Sequence, residues 1–437
     1  MYRLLKNKKI KDFAIIGIGR RELSVADIIT GSRKFISKPD ASVLSSLENN
    51  ISYLQGDLDD KNTYDALKKR LAGHAKKGLT NVLFYLATLP GHFDPIAQNL
   101  KSSGLSKSSK GWVRVVFEKP FGSNLEDAQE LNASIKKVFS EDQIYRIDHY
   151  LGKELVQNIA VLRFSNTVLE PLWNKNHIDH IQIILNEDIG VEDRGGFYDK
   201  YGAIKDVVQN HMMQLLALVA MEAPSSFNAL QIRNEKFKVL QSTRSVDAHD
   251  TILGQYSGYG QEKDVAAGSN TETFAAMKLF VDNMRWQHVP FYLKTGKKMK
   301  EKKSLIYIQF EEAPGVLFKE GAKLEPNHLV ITVQPSEGFY MTLNAKSPGS
   351  LDLTQVKMDF CHNCKYGANT PEAYETLLES VLAGDQSVFV RSDEVEQSWR
   401  IVDKVIDTSL KVRSYAAGKD PKSATDFIAK DGRKWFV

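Results

Sequence analysis

Phe13-Ala14-Ile15-Ile16-Gly17-Ile18-Gly19 is a short, unbroken apolar run, followed at once by Arg20-Arg21-Glu22. A strand with one wet face alternates apolar and polar residues. A run that is apolar at every position belongs to a strand buried on both faces, as in a parallel sheet covered by helices. Two further strand-like runs, largely apolar, lie at 81–88 and 112–117. Helical patterns separate them. Residues 64–75 form one, and after 117 Ser123 and Glu126 stand at capping-box spacing ahead of a stripe of Ala128, Leu131, Ile135 and Val138. Strand alternating with helix predicts an α/β, Rossmann-like domain over residues 1–150.

The pattern changes beyond residue 150. A strand is predicted at 178–186 and a strongly apolar helix at 203–221. Successive strands follow at 304–310, 328–334, 339–345 and 353–360, with turn residues Pro326-Asn327 and Pro348-Gly349 between them. Strands without intervening helices predict a large antiparallel sheet, and so an α+β domain over 151–437. Helices are predicted again at 371–383 and 393–409.

The chain has 437 residues, 42% hydrophobic and 26% charged, with a net charge of +4. That composition is globular, and the small charge calls for neither a nucleic-acid nor a membrane partner. The longest apolar stretches, 13–19 and 215–221, are too short to span a bilayer. The basic start lacks the apolar core of a signal peptide, so a cytoplasmic setting is expected. The only cysteines form Cys361-His362-Asn363-Cys364. A zinc site would need further ligands, so a structural role is expected for the pair and no metal centre for the chain.

The chemistry concentrates in Tyr145-Arg146-Ile147-Asp148-His149-Tyr150-Leu151-Gly152-Lys153-Glu154. An acid, an imidazole, a phenol and an ammonium this close together suit a loop at a cleft. His149, Tyr150 and Lys153 all donate hydrogen bonds to an anion, and Asp148 is left to orient an imidazole from elsewhere. His211, in Asp206-Val207-Val208-Gln209-Asn210-His211, stands at the edge of an apolar stretch. There an oriented imidazole makes a general base near neutral pH. On a regular helix Asp206 and His211 would lie about 140° apart. For both to touch one ligand, the helix is expected to begin close to Asp206. Lys119, in Phe117-Glu118-Lys119-Pro120, ends the third candidate strand, where open α/β sheets bind ligands. Arg20, after the 13–19 strand, suits the 2′-phosphate of NADP, whereas an acid there would hold the ribose of NAD. The run Lys294-Thr295-Gly296-Lys297-Lys298-Met299-Lys300-Glu301-Lys302-Lys303 follows a buried-looking segment, so some of its lysines are expected to face a cleft.

Together the segments IIGIGRREL, FEKPFG, RIDHYLGKE, EDRGGFYD, IKDVVQNH, VPFYLKTGKK, LAGDQSVFVRSDEVEQSW and KDGRKW resemble the glucose-6-phosphate dehydrogenase family. They keep the family's order over nearly the whole chain. The resemblance implies oxidation of glucose 6-phosphate at C1 to the lactone with reduction of NADP, the first step of the oxidative pentose phosphate pathway. It implies His211 as the base and Asp148 as its orienting carboxylate. His149, Tyr150 and Lys153 would hold the phosphate, with Glu187, Asp206, Lys297 and Lys302 on the sugar hydroxyls and phosphate. Arg20 would meet the cofactor, and Lys119 both cofactor and substrate. A homodimer or homotetramer is implied through the large sheet. The family opens with a strand and a Gly-Ala-Ser-Gly-Asp-Leu loop, and Met1-Tyr2-Arg3-Leu4-Leu5 resembles the helix after it, so the opening strand and loop are expected to be missing. The alternative readings are a sugar-phosphate-binding protein without a working cofactor site, or another two-domain sugar oxidoreductase carrying Glu118-Lys119-Pro120.

Overall fold

The computed structural model describes residues 1–36, 38–313, 324–350, 352–367, 371–406 and 410–436. In chain order its strands are β1 (Ile15–Gly19), β2 (Ile51–Gln55), β3 (Val82–Leu86), β4 (Val113–Phe117), β5 (Ile144–Ile147), β6 (Ile178–Asn186), β7 (Thr251–Tyr256) and β8 (Phe274–Phe280). They continue as β9 (Pro290–Gly296), β10 (Lys303–Phe310), β11 (His328–Gln334), β12 (Gly338–Lys346), β13 (Leu353–Cys361), β14 (Phe389–Val390) and β15 (Val412–Tyr415). The chain divides into two compact units. One comprises Met1–Gly122, Glu126–His149 and Ala373–Ser392; the other comprises Ser123–Leu125, Tyr150–Glu372 and Asp393–Val437. A single break at residue 150 does not describe this division, because Ala373–Ser392 returns to the first unit.

The first unit holds parallel strands in two sheets. β1 pairs with β2, and β3, β4 and β5 pair in that order with β14 antiparallel on the edge beside β5. The apolar run at 13–19 forms the predicted strand, yet every residue of β1 is only half-buried. β5 is buried throughout. Helices Lys61–Ala75, Phe93–Ser102 and Leu125–Lys136 supply Tyr64, Phe93, Ile96, Leu100 and Ile135 to a core with Leu86, Val115 and Phe117. Phe93 and Phe117 meet edge to face at 5.2 Å, a favoured aromatic geometry.

The second unit is built on a nine-stranded sheet, ordered β13-β12-β11-β10-β6-β9-β8-β7-β15. It is mixed rather than purely antiparallel. β6 and β9 run parallel, as do β7 and β15. Sequence order had placed neighbours by proximity along the chain, and both parallel pairs join strands far apart in it. The predicted apolar helix at 203–221 becomes two pieces, a π-helical segment Ile204–Met212 and the α-helix Met213–Ala220. All eight residues of the latter are buried, as befits a helix apolar on every side. Its C-terminal carbonyls are satisfied by indoles, with Trp173 Nε1 donating to Val219 and Trp286 Nε1 to Ala220, each at 2.8 Å. The predicted 393–409 helix ends as Ser392–Val402 with a 3₁₀ turn, Asp403–Val405, and residues 407–409 lie outside the described residues.

Inside this unit, helices Ala229–Ser242 and Ser392–Val402 are joined by Lys236 and Glu394, both fully buried and 2.9 Å apart. Lys236 Nζ also donates to Gln214 Oε1 at 2.7 Å. Removing one partner strands a charge in a dry interior. Lys236→Met is expected to cost about 3–5 kcal/mol, and adding Glu394→Leu to recover a substantial part of it. Urea unfolding of both variants checks this. Equal midpoints for Lys236→Met and the unmodified chain would refute it.

Candidate active site

Two predicted site residues of the second unit, Tyr150 and Lys153, lie beside the β10–β11 pairing. Tyr150 follows β5 in the chain within a turn, and Lys153 is the N-cap of helix Glu154–Phe164. The Tyr150 hydroxyl lies 3.0 Å from Ser304 Oγ, which also accepts from Gln334 Nε2 at 2.9 Å. Gln334 Oε1 in turn accepts from Lys153 Nζ at 2.9 Å. Ser304 and Gln334 face each other across the β10–β11 pairing, beside a bulge. Lys153 also sits 5.2 Å from the Tyr150 ring centroid. Burial holds its pKa below the ordinary lysine value, Glu337 opposes that shift, and the Lys302 charge adds to it. Lys302 is itself exposed, in the turn before β10.

A second group forms where β6 and β9 end together. Asn186 pairs with Gly296, and the Glu187 N–H donates to the Gly296 carbonyl at 2.9 Å. Their next side chains therefore meet: Lys297 Nζ donates to Glu187 Oε2 at 2.5 Å. Lys297 is 6% exposed and lies 5.0 Å from the Tyr198 ring. Tyr198 is fully buried. Its phenol is pushed well up by burial, with Asp206, Glu272 and Glu187 adding to the shift. Asp206 is buried and lies 3.9 Å from an Arg194 nitrogen.

The expected helix start at Asp206 is replaced by a different solution. Asp206 and His211 both lie within the π-helical segment, whose i→i+5 bonding sets residues five apart about one turn above each other. The 140° divergence of a regular helix is thereby much reduced. Gly202 permits this. Its φ of 66° and ψ of −179° lie in a region essentially reserved for glycine. A Cβ there would stand 2.3 Å from Glu272 Oε1, the atom that accepts the Ile204 N–H at 3.0 Å. The chain breaks its helix at Gly202 and restarts it wide. His211 is 3% exposed, and its ring centroid lies 4.8 Å from that of Tyr150.

In the first unit Arg20 follows β1, exposed, with its carbonyl accepting from Gln55 Nε2 at 3.1 Å. Lys119 lies just beyond β4 and precedes a cis peptide bond to Pro120. Its neighbour Glu118 accepts from the hydroxyls of Tyr85 and Tyr374. Asp148, just past β5, is 2% exposed, and His149 is half-buried. A basic group at the carboxyl end of a parallel strand, with no acid in its place, fits a phosphorylated dinucleotide.

Sequence reasoning missed Ser304, Gln334, Tyr198 and Arg194 as parts of the site. Arg194 and Tyr198 carried a signal, since they sit in the quoted EDRGGFYD. Ser304 and Gln334 are neutral residues of ordinary strands and carried none. The lysine run divides as expected. Lys294 and Lys297 are buried, while Lys300 and Lys302 are exposed. Cys361 and Cys364 are joined in a disulfide.

A Rossmann-like unit with an arginine after β1, in one chain with a unit that gathers an imidazole, lysines and carboxylates, suits phosphorylated ligands. Comparison with known proteins agrees. Residues 1–158 match the family model "Glucose-6-phosphate dehydrogenase, NAD binding domain", and residues 160–436 match "Glucose-6-phosphate dehydrogenase, C-terminal domain". The chain is 42% identical to the glucose-6-phosphate 1-dehydrogenase of Bacillus subtilis (strain 168), covering all of this chain and 94% of that one. It is 40% identical to the cytoplasmic glucose-6-phosphate 1-dehydrogenase 6 of Arabidopsis thaliana, over 96% of this chain and 84% of the relative. A solved glucose-6-phosphate dehydrogenase in complex with glucose-6-phosphate superposes with a TM-score of 0.93 at 35% identity, covering 100% of this chain and 94% of that one. The chain belongs to the glucose-6-phosphate dehydrogenase family.

Because the π-helical segment depends on Gly202, Gly202→Ala is expected to lower stability by more than about 2 kcal/mol. It is also expected to reduce turnover, by displacing Asp206 and His211. Urea unfolding and steady-state assays of this variant test both, and an unchanged midpoint would remove glycine's conformation as the cause.

Proposed function

We propose that His211 is the general base of the reaction, with Asp148 as the carboxylate that orients it and Lys153, Tyr150 and His149 as the phosphate-binding group. The reaction is oxidation of D-glucose 6-phosphate to 6-phospho-D-glucono-1,5-lactone with reduction of NADP, the entry to the oxidative pentose phosphate pathway. The observation that carries the assignment is the His211–Tyr150 ring contact. It ties the buried imidazole to the hydroxyl–amide string ending on Lys153.

Lys153 and Lys302 supply positive charge to the phosphate, and the Tyr150 hydroxyl and His149 ring supply further donors. Glu187, Lys297 and Asp206 meet the sugar hydroxyls, fixing the ring so that the C1 hydroxyl faces His211. The imidazole takes the hydroxyl proton, and the carboxylate of Asp148 stabilises the imidazolium that results. When bound, NADP supplies the hydride acceptor. Arg20 meets its 2′-phosphate, and Lys119 contacts both cofactor and substrate. The chain assembles as a homodimer or homotetramer through the β13 end of the nine-stranded sheet, where Val356 and Met358 are 41% and 55% exposed. It works in the cytoplasm. No helix among the described residues is long and apolar enough to cross a membrane.

His211→Asn is expected to lower kcat about 10²–10⁴-fold, leaving KM for glucose 6-phosphate within about threefold. NADP reduction followed by absorbance measures it, and wild-type kcat in the variant would refute the assignment. The pH dependence carries a sign. Burial lowers the Lys153 pKa, so its proton leaves before that of an ordinary lysine as pH rises. Loss of that charge weakens phosphate binding. On the alkaline limb kcat/KM should therefore fall through higher KM below the usual lysine range, and Lys153→Arg should move that fall to higher pH. A limb identical in the two proteins would show that another group titrates.

A further inference from the structure

The segment Lys430-Asp431-Gly432-Arg433-Lys434-Trp435 takes no part in the proposed chemistry, yet it is fastened to β6 at several points. Arg433 donates through Nε and Nη2 to the two carboxylate oxygens of Asp179, at 2.9 and 2.6 Å. Gln182 is fully buried and grips the backbone beyond. Its Nε2 donates to the Lys434 carbonyl at 2.8 Å, and its Oε1 accepts from the Phe436 N–H at 2.8 Å. Trp435 Nε1 donates to the Ala424 carbonyl at 2.8 Å, and the Phe436 ring stacks on Tyr307 with centroids 4.6 Å apart.

These two backbone partners fix which way the Gln182 amide faces. A carbonyl only accepts and a backbone N–H only donates, so turning the amide over forfeits both bonds. His180 precedes Gln182 by two residues and so lies on the same face of β6. It too is buried, and its Nε2 stands 2.9 Å from Gln182 Nε2. That amide nitrogen is a donor, which makes His180 Nε2 the bare, accepting nitrogen. Nδ1 then carries the ring proton and donates to Asp179 Oδ2 at 2.5 Å. A single neutral tautomer satisfies every partner. The imidazolium cannot, because an Nε2–H would point at the Gln182 amide donor in a dry interior, and two donors left facing each other are costly.

The other groups around the imidazole offer no substitute acceptor with a charge. Tyr292 on β9 and Tyr307 on β10 face it with ring centroids 5.8 and 5.7 Å away, and their hydroxyls donate to Asp431 and Gln309. Burial holds the His180 pKa below the ordinary histidine value; Asp179 opposes that shift and the Arg433 charge adds to it. His328 on β11 faces the same segment, its ring 6.0 Å from that of Phe436.

We infer that His180 and Gln182 form an acid-sensitive latch on residues 434–436. A proton taken from solvent at His180 Nε2 turns the Gln182 oxygen toward the imidazolium. The amide thereby gives up the Lys434 carbonyl and the Phe436 N–H, which pass to water. Arg433 keeps its hold on Asp179, so the chain opens beyond it. The sign follows from linkage. A histidine whose folded pKa is depressed contributes stability above its unfolded pKa, and that contribution is lost as pH falls toward the folded value.

Hydrogen exchange of the full chain, read by mass spectrometry on its C-terminal peptide and corrected for the intrinsic rate at each pH, tests the latch. Between about pH 7.5 and pH 5.5, protection of that peptide should fall about 5–10-fold. His180→Gln keeps an acceptor toward Gln182 and cannot charge, so its peptide should stay protected throughout. Gln182→Glu offers the imidazolium an acceptor and should also abolish the fall, which keeps the test decisive should the first variant not fold. Protection that is independent of pH in the unmodified chain would overturn the inference. So would a fall that persists in either variant, which would move the titration to another group, His328 first.

Discussion

The site of the second unit depends on one pairing, the parallel alignment of β6 with β9 inside a largely antiparallel sheet. In an antiparallel pair, the end of one strand lies beside the start of the next. Parallel strands end on the same side. Asn186 and Gly296 are therefore partners, and the side chains just beyond them, Glu187 and Lys297, meet although 110 residues apart. β10 lies on the other flank of β6, so Lys303 pairs with Asn186 and Ser304 with Leu185. Three strand termini are thus brought side by side. Each contributes a polar residue at the point where backbone pairing stops.

Burying these charges is costly, and each is offset by a specific partner. Lys294 is held by Asp420 Oδ2 at 2.6 Å, Lys297 by Glu187 and Lys153 by Gln334. An unpaired ammonium in a dry interior would shed its proton instead. The partners also fix the long lysine stems, so less side-chain entropy remains to be lost when a ligand arrives.

What the sequence made legible follows from range. β6 and β11 carry strong local patterns, and their observed bounds, Ile178–Asn186 and His328–Gln334, coincide with those read from composition alone. Candidate site residues in chemically unusual company, such as Asp148, Tyr150 and His211, also stood out in the sequence. Strand pairing across a hundred residues was not, because alternation reports which face is wet and says nothing of the neighbour. The π-helical segment was hidden for a related reason. Its apolar residues satisfy an α-helical period well enough, and the deciding atom is the missing Cβ of Gly202 facing Glu272, a contact between distant parts of the chain. Ser304 and Gln334 became functional candidates only once register placed them between Tyr150 and Lys153.

The two lysines proposed to meet the substrate are held differently, and the difference supports a division of work between them. Lys297 is paired with a carboxylate, and together they form a nearly neutral unit. A neutral donor–acceptor pair matches sugar hydroxyls, which donate and accept at once. Lys153 is held by the amide oxygen of Gln334, which carries no charge. Its own charge is opposed by no carboxylate hydrogen bond there; Glu337 attracts it from further off and the Lys302 charge repels it. A phosphate dianion therefore gains more by displacing the amide from Lys153 than by displacing Glu187 from Lys297, where it would have to expel a like charge. An ammonium suits this exchange better than a guanidinium would. It is a compact charge on a flexible stem, able to leave one acceptor for another without preserving a planar fork. In the proposed assignment, phosphate toward Lys153 and hydroxyls toward Lys297, the polarity of the site follows from which of the two lysines was given a neutral partner.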